Sequence, residues 1–156
     1  MTKQLEQIAD VKWQRDDLEF FLNKLSFHWC GYVRFPTRPL IEQGYSGIAT
    51  YVPVHGGITF ARQEGETMTY GFDCMHSGDE TNPKLQDQNW LRAECERMAL
   101  AIIQAGKFEQ DYLLAATDEA RSDVLTAYHN ALEAEGILFD LRDNFGAMIN
   151  VLFGSL

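Results

Sequence analysis

The chain has 156 residues and a formal net charge of −10, with hydrophobic residues at 46% and charged residues at 23%. That length and composition suit one compact domain, residues 1–156, with a core of its own, and argue against disorder. The acidity disfavours direct nucleic-acid binding and attachment to anionic membranes, and three irregularly spaced cysteines, Cys30, Cys74 and Cys95, imply no disulfide framework.

Asp16-Asp17 precede Leu18, Phe21, Leu22 and Leu25, whose spacing predicts a short amphipathic helix ending near Ser26. Gly31–Pro36, rich in aromatic and β-branched residues, reads as a strand stopped by proline. Thr37–Gly47 reads as a loop. Ile48–Val54 and Ile58–Arg62 read as strands, broken by His55-Gly56-Gly57, which suits either a hairpin turn or a glycine bulge in one longer strand. Met68–Cys74 reads as a further strand, with Tyr70, Phe72 and Cys74 on one face and Thr69, Gly71 and Asp73 on the other.

After Asn82-Pro83 the period becomes helical. Leu91, Cys95, Met98 and Ile102 form a stripe, widened by Ala99 and Ile103, with Arg92, Glu94, Glu96 and Arg97 mostly elsewhere on the helix. Gly106 reads as its end. Thr117 reads as the N-cap of a helix carrying Leu125, Tyr128 and Leu132, with Gly136 past its C-terminus. Leu138–Leu152 reads as a last helix. Strands first and helices after predict an α+β fold: a small antiparallel sheet in the first half, with an N-terminal helix and about three C-terminal helices packed on it. The N-terminus shows no signal pattern and no apolar run reaches membrane-spanning length, so a cytoplasmic protein is expected.

Chemistry-bearing side chains concentrate between Val54 and Asp79. His55, Asp73, His76 and Asp79 sit beside glycines at the ends of apolar runs, where loops set by strands build sites. His28, Cys30 and Cys74 lie within reach of the same strand ends. Histidine, thiolate and carboxylate are zinc ligands, but Cys74-x-His76 and His28-x-Cys30 match no common zinc spacing, and no metal is assigned. Cys74 alternates with Tyr70 and Phe72, which suits a buried small apolar residue better. Histidines and aspartates that cap turns are the commoner explanation of such a block. Gly56 and Gly57 could present backbone N–H groups to an anion, with Arg34, Arg38 or Arg62 as counter-charges. No P-loop, dinucleotide glycine pattern or nucleophile elbow occurs, so no cofactor is expected.

The blocks His28–Pro36, Val54–Thr59 and Gly71–Asp79, followed by Trp90–Glu96, resemble a family of small uncharacterised bacteriophage and prophage proteins. The resemblance covers roughly Phe27 to Ala101. It implies a phage or prophage origin, a bacterial host cytoplasm, and by analogy a part in countering host defence; it implies no particular activity.

Three functions follow as expectations. The first is a binding module for a small anionic or nucleotide-like ligand, held by His55, Gly56, Gly57, Asp73, His76, Asp79, Arg34 and Arg38. The second is a metal-dependent hydrolase using His55, Asp73, His76 and Asp79. The third is an acidic inhibitor that occupies a basic surface of a host defence protein, with Glu119, Asp123 and Glu133 as its charges. A second copy of the chain is a further partner considered.

Overall fold

The computed structural model describes residues 8–37, 51–76 and 78–137. Strands β1 (Val11–Arg15), β2 (Leu18–Leu25), β3 (His28–Pro36), β4 (Phe60–Glu64) and β5 (Thr67–Asp73) precede helices α1 (Gln88–Ala105), α2 (Glu109–Leu114) and α3 (Asp118–Ala134). The strands form one antiparallel sheet in the order β1-β2-β3-β5-β4. The fold is α+β, with the sheet in the first half and the helices after it.

The segment expected to open with a helix is instead β2. Asp16 and Ser26 both adopt a φ of 56° and close tight turns on either side of it. Asp16-Asp17 is therefore a hairpin turn rather than an acidic first helical turn, and aspartate is among the residues that tolerate this conformation. Leu18, Phe20 and Leu22 alternate into the main core, while Phe21 and Asn23 are buried on the opposite face. A strand apolar on both faces reproduces the i, i+3, i+4 spacing of an amphipathic helix, which is why periodicity misled there.

The main core lies between the sheet and the helices. Phe20, Leu22, Val33, Phe35, Tyr70 and Phe72 meet Leu91, Cys95, Met98 and Ile102 of α1 in one buried cluster. Gly31 lets the layers close. A Cβ there would lie 2.6 Å from the Phe72 ring and 2.7 Å from Cys95 Sγ, so no larger residue fits without a shift.

Helix α1 is buried on more than its apolar stripe. Glu94, Glu96 and Arg97, expected mostly on another face, are 1%, 4% and 4% exposed, because sheet, turns and α3 enclose the helix from several sides. Ile103, expected to widen the stripe, is exposed instead. Glu96 accepts from Trp13 Nε1 at 3.0 Å and from Arg15 Nε at 2.8 Å, which ties β1 to α1.

Helix α1 ends at Ala105 with Gly106 as its cap residue. Thr117 caps α3 by accepting from the Ala120 N–H, and Gly136 takes a φ of 72° after its last turn. Both helix ends stand where the sequence places them. Tyr51–Val54, read as the end of a strand, is not in one. The expected helix over 138–152, most of the 37–47 loop, and Arg38 lie outside the described residues. No helix among the described residues is long and apolar enough to cross a membrane.

Candidate functional site

His55-Gly56-Gly57 forms a tight turn. Gly57 N–H donates to the Val54 carbonyl at 2.8 Å, and Gly56 and Gly57 take φ values of 69° and 81°. Positive φ at the third residue of such a turn favours glycine. Gly56 is also fixed by contact, because a Cβ there would lie 2.0 Å from His76 Nε2. Of the two readings of this segment, a turn is the one observed, although it joins a non-strand segment to β4 rather than closing a hairpin.

The turn sets His55 beside the segment that follows β5. His55 Nε2 lies 3.0 Å from Asp79 Oδ2, and the His76 backbone N–H donates to the same oxygen at 2.9 Å. An ionised carboxylate can only accept, so the His55 proton resides on Nε2. Burial pushes the Asp79 carboxyl upward, but the hydrogen bonds from His55 and the His76 backbone, with the charges of both histidines, outweigh it and hold the group below its ordinary range. His55 and His76 meet edge to face at 5.7 Å between ring centres, and His55 meets Trp90 likewise at 5.8 Å. His76 Nε2 lies 3.4 Å from Asp73 Oδ1, within ion-pair range but without hydrogen-bond alignment.

A second layer fixes the turn from behind. His55 N–H donates to Glu94 Oε1 at 2.7 Å, and Arg97 Nη2 donates to the same oxygen at 2.8 Å. Arg97 Nη1 reaches the Ile137 carbonyl at 3.2 Å. Glu94 Oε2 and Arg97 Nε are buried without a partner among the described residues. A buried ion pair with unfilled valences adds little net stability, yet removing one partner strands the other charge. The sequence carried a usable signal for this pair: Glu94 and Arg97 stand at i, i+3 on a helix whose next turn is all core.

Beside this cluster opens a cavity of about 550 Å³. Its walls come from three places. Lys24, Ser26 and Phe27 belong to the β2–β3 hairpin, and His28 to the start of β3. Cys74, Met75 and His76 follow β5. Asp79, Glu80 and Gln86 stand on two 3-10 turns, Asp79–Thr81 and Pro83–Gln86. Phe27 and Met75 are 80% and 67% exposed. Lys24 Nζ sits over the Trp29 ring at 5.8 Å, and Gln86 Nε2 donates to the Phe27 carbonyl at 3.0 Å.

His76 and Asp79 thus line the cavity, while His55, Gly56 and Asp73 support them from outside its lining. Gly57 N–H is consumed by the turn, and Gly57 does not line the cavity either. Arg34 lies elsewhere. It is six residues past His28 on β3, roughly 20 Å along an extended strand, pairs with Glu19 at 2.6 Å and stacks over Phe21. Arg62, on edge strand β4, lies 3.3 Å from Glu64. Sequence reasoning missed Lys24, Phe27, Met75, Glu80 and Gln86; an exposed aromatic at a hairpin tip was the available hint.

Chemically the cavity lining offers two carboxylates, Asp79 and Glu80, two imidazoles, His28 and His76, one amine, Lys24, and soft apolar walls. Burial, followed by the charge of Asp79, pushes the Cys74 thiol far up, so it is not a ready nucleophile. Cys30 opposes Asp73 in the β3–β5 ladder, and burial raises it too. Among the described residues no three histidine, cysteine, aspartate or glutamate side chains are grouped so as to hold a metal ion; His55, Asp79, His76 and Asp73 make a chain of contacts rather than a cage. The chain matches no family model, no curated protein and no solved structure.

Proposed function

We propose that the protein is a binding module for a small nucleotide-like ligand, seated in the cavity between the β2–β3 hairpin and the Asp79–Gln86 turns. One observation carries this reading: a cavity of about 550 Å³ combines exposed Phe27 and Met75 with Lys24 and the Asp79 carboxylate. Its volume falls within the range of about 300–1,000 Å³ occupied by small-ligand sites. Phe27 and Met75 offer a flat aromatic and a polarizable thioether for a base to lie against. Lys24 supplies a cation for a phosphate.

The lining narrows the ligand class. Two carboxylates, Asp79 and Glu80, share the cavity with a single lysine. A polyphosphate would meet net repulsion there, whereas a single phosphate can be matched by Lys24, with the attached base supplying the remaining contacts. In the phage setting that the sequence resemblance implies, the module would withdraw a nucleotide signal from a host defence pathway.

Calorimetry with a panel of mononucleotides and cyclic nucleotides tests the binding. Saturable heat is expected for at least one member, with Phe27→Ala and Lys24→Met each weakening it by about tenfold, the value of one good stacking or charge-assisted contact. No heat at high micromolar concentration across the panel would remove the reading.

A further inference from the structure

The geometry points to α2 as a flap that stays closed while the Glu109 carboxyl is neutral and opens when that carboxyl ionises. The inference is independent of the ligand reading, since no residue of α2 lines the cavity. It starts from what α2 buries. Of its six residues, the one buried is Glu109, at 1% exposure. Gln110 and Asp111 are exposed, Tyr112 is half-buried, and Leu113 and Leu114 are 44% and 73% exposed. A surface helix ordinarily docks by an apolar stripe and keeps its charges in water. Here the two leucines face out and the carboxyl goes in. Both Glu109 oxygens are buried without a partner among the described residues, whereas a fully buried glutamate is ordinarily paired.

The surroundings supply no counter-charge. Tyr70 on β5 is raised by burial and then by the charge of Glu109 itself. On α3, the Tyr128 hydroxyl donates to the Ala101 carbonyl at 2.9 Å, and Arg121 is engaged by Asp118 and the Ala115 carbonyl. On α1, Arg97 is paired with Glu94. Lys107, in the turn before α2, and Asp111 are both exposed. An ionised carboxylate buried without a partner is among the costliest groups in a fold, so it takes up a proton or it leaves.

The segment can leave as a unit. A turn over 106–108 precedes α2, and non-helical residues 115–117 follow it. Its ties are light: Tyr112 and Tyr51 hydroxyls at 3.5 Å, Arg121 Nη1 on the Ala115 carbonyl at 3.2 Å, and Phe108 against the Tyr128 ring. Burial lifts the closed-state carboxyl from 4.5 to about 7. In the open form it faces water and ionises normally. The open population is therefore smallest below the lower value, grows about tenfold per pH unit between the two, and levels off above the higher one.

The test is amide hydrogen exchange of the whole protein from pH 5 to pH 8, corrected for the intrinsic pH dependence of exchange. The Tyr112 and Ala115 amides, which donate to the Phe108 and Tyr112 carbonyls, should be less protected than the amides of α1 at every pH. Their protection should fall about tenfold per pH unit up to pH 7 and little beyond. Glu109→Gln removes the charge, and Glu109→Met removes the polar atoms as well at similar volume. Either variant should make that protection independent of pH. Protection equal to that of α1 would show that α2 opens only with the whole fold, and would overturn the flap. A pH-dependent loss that survives in either folded variant would overturn it too.

Discussion

At the scale of single residues, the candidate site depends on groups that do not line its cavity. Gly56 combines a left-handed backbone with contact against the His76 ring. Gly56→Ala should therefore destabilise the protein by about 2 kcal/mol or more, since a left-handed conformation and an overpacked contact both oppose the new methyl; urea unfolding measures it. Glu94 has the opposite character, a buried charge whose value is its partner. Glu94→Gln keeps an acceptor for His55 N–H but leaves Arg97 buried without a counter-charge, at a cost of about 3 kcal/mol. The double variant Glu94→Gln/Arg97→Met should recover part of that loss, and no recovery in the urea midpoint would refute the pairing. Asp79 adds a dependence on pH. Its carboxyl is lower in the folded chain than its ordinary value, so it stabilises the fold above the unfolded pKa, and this is lost as pH falls through the folded one. Asp79→Asn should shrink the drop in melting temperature on acidification.

At the scale of elements, the sequence was most legible where a single periodicity acted alone. Helix α1 showed its buried stripe, and α3 showed both ends, because Thr117 and Gly136 act through local backbone chemistry. Thr117→Ala should cost about 1 kcal/mol by thermal unfolding, since it frees the Ala120 N–H. Strand β2 was illegible because apolar residues on both faces erase alternation, and its true boundary signals were hairpin turns centred on non-glycine residues, Asp16 and Ser26. The buried charges of α1 were hidden for a related reason. A helix pattern shows which residues are apolar, not how many neighbours enclose the polar ones, and Glu96 is buried by a strand about 80 residues away in the chain. Of the candidate site, the histidine and aspartate half was legible from residue type. The Lys24, Phe27 and Gln86 half was not, because only the folded hairpin brings it across.

For the whole molecule, the clearest long-range handle is a carboxyl outside the site. Glu109 opens α2 with 1% exposure, and neither oxygen has a partner among the described residues. Burial pushes its pKa to about 7, and its charge, after burial, adds to the rise of the Tyr70 phenol of β5. Raised above its unfolded value of 4.5, Glu109 contributes stability that is complete below that value and lost as pH climbs through 7. The span corresponds to no more than about 3 kcal/mol. The melting temperature should fall between pH 5 and pH 8 from this group, and Glu109→Gln should flatten that slope; an unchanged slope would show that the carboxyl titrates normally. With Asp79 acting on the acid side, stability should peak on the mildly acidic side of neutrality.

Phe27 and Gln86 are 59 positions apart in the chain, yet one amide-to-carbonyl hydrogen bond joins them at the cavity rim. Such a bond favours its closed form by only about 1 kcal/mol, roughly a fivefold preference. The Gln86 side chain can therefore leave the Phe27 carbonyl often, without disturbing the ladder beneath it or the carboxylate opposite. A guest would exchange through a wicket at the rim, on a timescale independent of unfolding, so Gln86→Ala should quicken both arrival and departure while leaving the ratio between them nearly unchanged.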